Sequence, residues 1–189
     1  MNPPVVIILA AGKGERFLAS GATTHKLDTP LGAYSVLEHV IRAVAEAGLR
    51  GHLVRPAGGT RGMGESVSLG VRATADADGW LILPGDLPLI RPASLRAVAQ
   101  ALCQKSVVLP RYRQLSGHPV GFSRRWFPLL AALDGDVGAR TVVKAARACG
   151  EVLDLALADP GVTHDIDTVA DLLAASRLHD AAAPCRMRR

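Results

Sequence analysis

Val5-Val6-Ile7-Ile8-Leu9-Ala10-Ala11-Gly12-Lys13-Gly14-Glu15-Arg16 is the stretch on which the reading of this chain turns. Its continuous apolar run, rich in β-branched residues, has the character of a short strand buried on both faces. A glycine loop carrying cations follows at once. Gly12 and Gly14 lack a Cβ, so backbone N–H groups there can turn inward and approach an anion closely. Arg16 offers a planar fork for phosphate oxygens, and Lys26, somewhat downstream, a mobile point charge. These are the parts needed to hold a nucleoside triphosphate, with Leu9, Ala10, Ala11, Gly12, Gly14, Arg16 and Lys26 as its candidate ligands.

Two familiar phosphate loops are excluded by spacing. A Walker A loop needs G-x-x-x-x-G-K-[ST], which Gly12-Lys13-Gly14-Glu15 does not supply. A dinucleotide fingerprint needs a third glycine where this chain has Phe17, and an acidic residue after the second strand, where it has Arg55 and Pro56. A plain strand-to-helix turn with surface charges is the remaining alternative for the loop taken alone.

Outward from this loop, short apolar runs alternate with helical patterns. Strands are expected near Val5–Ala10, His52–Arg55, Trp80–Leu83, Val107–Leu109 and Val152–Leu157. Helices are expected at Ser35–Ala47, Ser66–Thr74, Pro92–Leu102, Trp126–Leu133, Ala139–Ala148 and Val169–Ser176, with a long loop over Ala11–Leu31. Ser35 is the N-cap and Gly48 the stop of the first of these helices, whose stripe reads Val36, Val40, Ile41, Val44. Such alternation predicts an α/β fold with a mostly parallel central sheet, in which ligands sit outside the carboxyl ends of strands. One domain over residues 1–180 is expected, followed by a basic, disordered tail over 181–189.

Composition narrows the function. The chain has 189 residues, 49% hydrophobic, enough for one substantial core. Its apolar runs fall far short of the ~20 residues of a membrane helix, and no basic region precedes the first one as in a signal peptide. Three scattered cysteines, Cys103, Cys149 and Cys185, point to a reducing cytoplasm rather than to disulfides or zinc. Arg186, Arg188 and Arg189 supply +3 of the formal +5 charge, and aromatics are only 4%, so nucleic acid is not an expected partner.

Further candidates lie at strand ends. Leu83-Pro84-Gly85-Asp86-Leu87-Pro88 places a carboxylate between rigid flanks, with Gly85 read as room for a ligand. Asp86 suits Mg²⁺, which prefers one or two carboxylates plus substrate phosphates; the alternative is a turn cap. In Thr163-His164-Asp165-Ile166-Asp167-Thr168, Asp165 and Asp167 share a face if the segment is extended. Asp167, slightly favoured, would complete the metal shell, unless it or Thr168 caps the following helix.

Taken together, LAAG-x-G-x-R with a downstream lysine, GD-x-P at Gly85–Pro88, Gly62-Met63-Gly64-Glu65-Ser66, Gly117-His118-Pro119, Gly135-Asp136-Val137-Gly138-Ala139-Arg140 and D-I-D-T at Asp165–Thr168 resemble the MobA-like NTP transferases. Within that family the match is to the molybdenum cofactor cytidylyltransferases. The resemblance spans about Val5 to Ala175. It implies a three-layer, Rossmann-like nucleotidyltransferase of the nucleotide-diphospho-sugar transferase type. It also implies Mg²⁺ on Asp86, and Arg16, Lys26 and Asp86 as the catalytic set. Gly62 and Ser66 fall on the nucleotide side, although Ser66 could equally cap its helix. His118, Pro119, Asp136 and Arg140 fall on the acceptor side, although a lone histidine is more often structural. Ala11 points to the cytidylyl branch, where guanylyl relatives read LAGG. The implied reaction moves CMP from CTP onto molybdopterin with release of pyrophosphate, and the implied protein partner is a molybdoenzyme receiving the product. A sugar- or polyol-phosphate nucleotidyltransferase is the runner-up, and a nucleotide-binding accessory protein for cofactor insertion the reading from a different class. Two departures stand out. Nine residues, Phe17 to His25, separate Arg16 from Lys26, more than in many relatives; and Val169-Ala170 replace the usual Pro-Glu.

Overall fold

The computed structural model describes residues 3–182. In chain order the strands are β1 Val5–Leu9, β2 Pro30–Leu31, β3 Tyr34–Ser35, β4 Arg50–Val54, β5 Gly79–Pro84, β6 Val107–Tyr112, β7 Leu115–Ser116, β8 Val120–Ser123 and β9 Val152–Ala156. The helices are α1 Glu15–Ala19, α2 Val36–Glu46, α3 Met63–Ala73, α4 Pro92–Ala101, α5 Phe127–Ala131, α6 Arg140–Ala148 and α7 Val169–Ala182.

Seven strands form one sheet in the order β4-β1-β5-β8-β6-β7, with β9 also paired to β6. β1 runs parallel to β4 and β5, and β6 parallel to β9, while β8 and β7 are antiparallel to their neighbours. The expected α/β architecture with a mostly parallel sheet is therefore present.

Side-chain alternation along β1 and β5 builds two apolar layers. Val6, Ile8, Leu81 and Leu83 pack with Val36, Val40 and Val44 of α2, Leu95 and Val98 of α4, and Ala175 of α7. Val5, Ile7, Trp80 and Ile82 face Val67 and Val71 of α3, Leu130 of α5, and Val142 and Ala146 of α6. Burial on both sides is why these strands read as unbroken apolar runs.

The chain runs from β1 through α2 to β4 at the edge, then returns through α3 on the opposite face to β5. The switch in direction opens a crevice at the carboxyl ends of β1 and β5, where ligands bind in open α/β sheets.

Several expected boundaries move. The loop over Ala11–Leu31 contains α1, a 3₁₀ turn at Lys26–Asp28 and the first strand of a small hairpin. On α2, Ser35 and Glu38 form a complete capping box and Gly48 stands at φ 71, as expected; Ile41, however, is exposed, and Leu37 and Ala43 fill the buried face with the valines. Helix α3 starts at Met63, a turn before the expected Ser66, and its Gly64 packs so closely on a neighbouring backbone that a Cβ there would come within 2.3 Å of the Val137 carbonyl oxygen. The final helix continues to Ala182, so the first two residues of the expected tail are helical; the remainder, with Cys185, lies outside the described residues. Cys103 and Cys149 are exposed free thiols.

Candidate active site

A cleft of about 940 Å³ opens where the switch in strand order predicts it. The first loop forms one wall, with Leu9, Ala10, Ala11, Gly12, Gly14 and Arg16 all facing the cavity. Gly14 stands at φ 67, and a Cβ on it would meet the His25 ring at 3.2 Å. Its glycine is thus required by the backbone and by packing.

Sequence reading missed His25. Its Nδ1 accepts from the Leu27 N–H at 3.2 Å, which leaves Nε2 to donate to the Gly12 carbonyl at 2.8 Å. With Leu27 buried beneath it, this contact folds the long Phe17–His25 segment back onto the glycine loop and sets Lys26 into the cleft. The extra length is absorbed, and Lys26 reaches the site. A lone histidine in a loop carries no periodic or spacing signal, so nothing in the sequence alone announced it.

At the floor, four charges meet. Lys26 Nζ lies 2.6 Å from Asp86 Oδ2 and 3.2 Å from Asp167 Oδ1, and an Arg16 guanidinium nitrogen lies 2.7 Å from Asp167 Oδ2. Arg16 is 79% exposed at its side chain, whereas Lys26 and Asp86 are only 14% and 16% exposed. Burial works against the Lys26 charge, but Asp86 and then Asp167 outweigh it and raise its pKa. The ammonium is therefore fully charged at neutral pH.

Asp167 and Asp165 both face the cleft while Ile166 is buried between them, as an extended segment requires. Only Asp167 joins the ionic cluster. Helix α7 does not compete for it, because Thr168 and Asp171 cap each other: the Asp171 carboxylate accepts from the Thr168 N–H at 2.7 Å, and Thr168 Oγ1 accepts from the Asp171 N–H at 3.3 Å. Asp171 thus does the capping that the missing Pro-Glu pair would have accompanied.

Gly85 behaves differently from expectation. It is buried, donates to the Leu9 carbonyl at 2.8 Å, and has no room for a Cβ, which would lie 3.0 Å from both Leu9 O and Leu37 Cδ1. Its glycine serves close packing of β5 on β1, not ligand approach. Asp86 itself faces the cleft, and its Oδ1 is buried without a hydrogen-bond partner.

Among the described residues no group of three or more His, Cys, Asp or Glu side chains converges as a metal cage. Two carboxylates drawn to one cation, with an unpartnered oxygen on the deeper one, fit a hard divalent ion that takes its remaining ligands from phosphate and water.

On the far side, Gly62, Met63, Ser66 and Asp136 line the cleft. Ser66 is not the helix cap, since Gly62 holds that position; its hydroxyl pairs with Thr60 Oγ1 at 2.7 Å and with the Gly62 carbonyl at 3.2 Å. Thr60, unanticipated, also faces the cavity. The Gly64 N–H donates to the Gly135 carbonyl at 2.8 Å, and Arg61 pairs with both Glu65 and Asp134. The segment expected on the nucleotide side and the one expected on the acceptor side therefore touch. His118 lines the cleft, and burial pushes its imidazole below the usual range against the pull of Asp86, so it is neutral at pH 7. Pro119 and Arg140 are not in the wall: Pro119 is buried behind His118, and Arg140 begins α6. No helix among the described residues is long and apolar enough to cross a membrane.

Sheet order, glycine loop and paired carboxylates define the class, an α/β protein with an anion-ready cleft at the carboxyl ends of its parallel strands. The model of the MobA-like NTP transferase domain matches residues 6–151, and the chain belongs to this family. The purine catabolism protein PucB of Bacillus subtilis is 37% identical over 111 residues, 57% of this chain and 53% of that protein. The chain thus spans about half the length, or less, of the curated relatives it matches. Among solved structures, Rv0371c of Mycobacterium tuberculosis superimposes with a TM-score of 0.74 at 24% identity, covering 93% of this chain and 98% of that one; it has also been solved in complex with manganese. Mth528, described as a nucleotidyl transferase from Methanothermobacter thermautotroptrophicus, gives 0.76 at 22% identity, covering 96% and 98%.

Proposed function

We propose that this protein transfers a nucleotidyl group, CMP from CTP, to the terminal phosphate of molybdopterin, releasing pyrophosphate. The observation that carries the reading is the Arg16–Asp167–Lys26–Asp86 cluster beneath the glycine loop, at the carboxyl ends of β1 and β5. Transfer of this kind needs charge neutralisation and in-line positioning more than a covalent nucleophile. The acceptor phosphate is already nucleophilic at neutral pH, so no dedicated base is required.

In this reading the amides of residues 11–14, Arg16 and Lys26 bind the triphosphate and stabilise the departing pyrophosphate. Asp86 and Asp167 would hold Mg²⁺, which supplies Lewis-acid neutralisation of phosphate charge. Gly62, Ser66 and the Thr60 hydroxyl present hydrogen-bonding groups to the nucleoside. His118 and Asp136 face the acceptor, with Pro119 and Arg140 supporting them from outside the wall. The choice of cytosine rests on the LAAG, GHP and GD-x-GAR segments, and delivery of the product to a molybdoenzyme follows from the same resemblance.

The test is pyrophosphate release across a grid of CTP, GTP, ATP and UTP against molybdopterin, sugar phosphates and polyol phosphates. Turnover confined to CTP with molybdopterin is expected. A sugar or polyol phosphate as the better acceptor would replace the substrate assignment. Tight nucleotide binding with no turnover for any pair would make the protein an accessory carrier.

A further inference from the structure

The contacts of Lys26 go beyond a phosphate ligand waiting for substrate. Its nitrogen sits between the two carboxylates assigned above to the metal, at 2.6 and 3.2 Å, in a pocket where its side chain is 14% exposed. Arg16 takes the other oxygen of Asp167, so three of the four carboxylate oxygens already face a cation; the fourth, Asp86 Oδ1, is the one without a partner.

We propose that Lys26 is a resident counter-ion of the metal site, which makes binding of the divalent ion conditional on the nucleotide. The inference rests on the nucleotidyltransferase reading of the cleft.

A divalent ion entering alone must displace the ammonium from Asp86 and Asp167. It would then leave the charged Lys26 in a largely buried place with nothing to pair with, which is costly. A triphosphate removes that cost by offering oxygens to Lys26 and Arg16 as they leave the carboxylates. Lysine suits such an exchange: its charge is compact and its stem flexible, so one nitrogen can serve carboxylate and phosphate in turn. Because coupling between two ligands is reciprocal, the metal must tighten nucleotide binding by the same factor. Two cations on two carboxylates keep the cluster neutral, and free divalent ions do not occupy it unproductively.

The experiment is Mn²⁺ binding followed by electron paramagnetic resonance, with and without CTP, on the full chain and on Lys26→Met. In the wild type, CTP should tighten Mn²⁺ binding by roughly tenfold to a hundredfold. In Lys26→Met, Mn²⁺ alone should bind roughly tenfold tighter than to the wild type, and the tightening by CTP should shrink. An unchanged Mn²⁺ affinity in the absence of CTP overturns the proposal and leaves Lys26 as a phosphate ligand only. Failure of the wild type to bind Mn²⁺ and CTP together overturns the reading of the cleft as well. Should Lys26→Met not fold, Lys26→Gln removes the same charge while keeping a hydrogen-bond donor for Asp86. It should strengthen binding of Mn²⁺ alone, and no gain there overturns the proposal.

Discussion

Gly12 separates a glycine needed by the protein from one needed by its ligand. It lines the cleft, its φ lies outside the left-handed region, and a Cβ built on it meets nothing within 4 Å. Gly12→Ala therefore has no cost in the folded state. By restricting the unfolded chain it is expected to stabilise by about 0.4–1 kcal/mol. If phosphate oxygens approach the backbone there, the added methyl group occupies their space, and forced overpacking costs about 1–3 kcal/mol. That corresponds to roughly 5- to 150-fold weaker nucleotide binding. Urea denaturation gives the first quantity and calorimetric titration with CTP and Mg²⁺ the second. Gly14→Ala is the contrast, because its φ of 67 and the His25 ring at 3.2 Å make it destabilising before any ligand is added. Wild-type nucleotide affinity in Gly12→Ala would refute close approach at this loop. A loss of stability there would refute the geometry itself.

Arg16→Ala should weaken nucleotide binding by roughly 10- to 100-fold, the value of a hydrogen-bonded charge pair, with Arg16→Lys recovering only part; titration with CTP checks it. Its exposure predicts an unchanged melting temperature. Asp86→Asn should lower the rate of pyrophosphate release by roughly 10²–10³ while the fold survives, since the amide oxygen can still accept from Lys26; a variant that unfolds with its metal dependence intact would make Asp86 a structural cap. Asp159, 3% exposed, accepts from the Arg91 N–H, the Ser94 hydroxyl and the Gly161 N–H. Asp159→Ala should cost about 3–5 kcal/mol in urea denaturation, because those donors are left unpaired where water reaches poorly.

What could be read from the sequence, and what could not, divides along physical lines. β1 and β5 were legible because strands buried on both faces cannot hide their composition, and α2 because Ser35, Gly48 and the valine stripe are local signals. β4 shifted because Arg50-Gly51-His52 has no apolar pattern, although its pairing with β1 brings it into the sheet. The five residues of α1 follow a left-handed Gly14 with no side-chain cap, so no start signal existed. β8 was not among the expected strands, since its antiparallel insertion between β5 and β6 is a matter of pairing rather than propensity. In the site, Arg16 and Lys26 were visible as cations of the first loop, Asp86 as a carboxylate after β5 and Asp167 as one before the last helix. Their mutual pairing was not, because it depends on how His25 closes a nonlocal loop. Gly85 was assigned to ligand approach when its space is filled by Leu9 and Leu37, a distinction only three-dimensional packing can make.

The single hydrogen bond from the Gly64 amide to the Gly135 carbonyl has a practical meaning for anyone redesigning this protein. A Cβ on Gly62 would come within 2.3 Å of Asp136 Oδ1 and 2.4 Å of the Gly135 backbone, so the two segments fit as a matched pair. Loop grafting that imports residues 57–66 from a relative with another base preference would therefore inherit a misfit against residues 134–138. Under the proposed function, donor and acceptor selectivity are inherited as one unit, and a chimera has to carry both segments from the same parent.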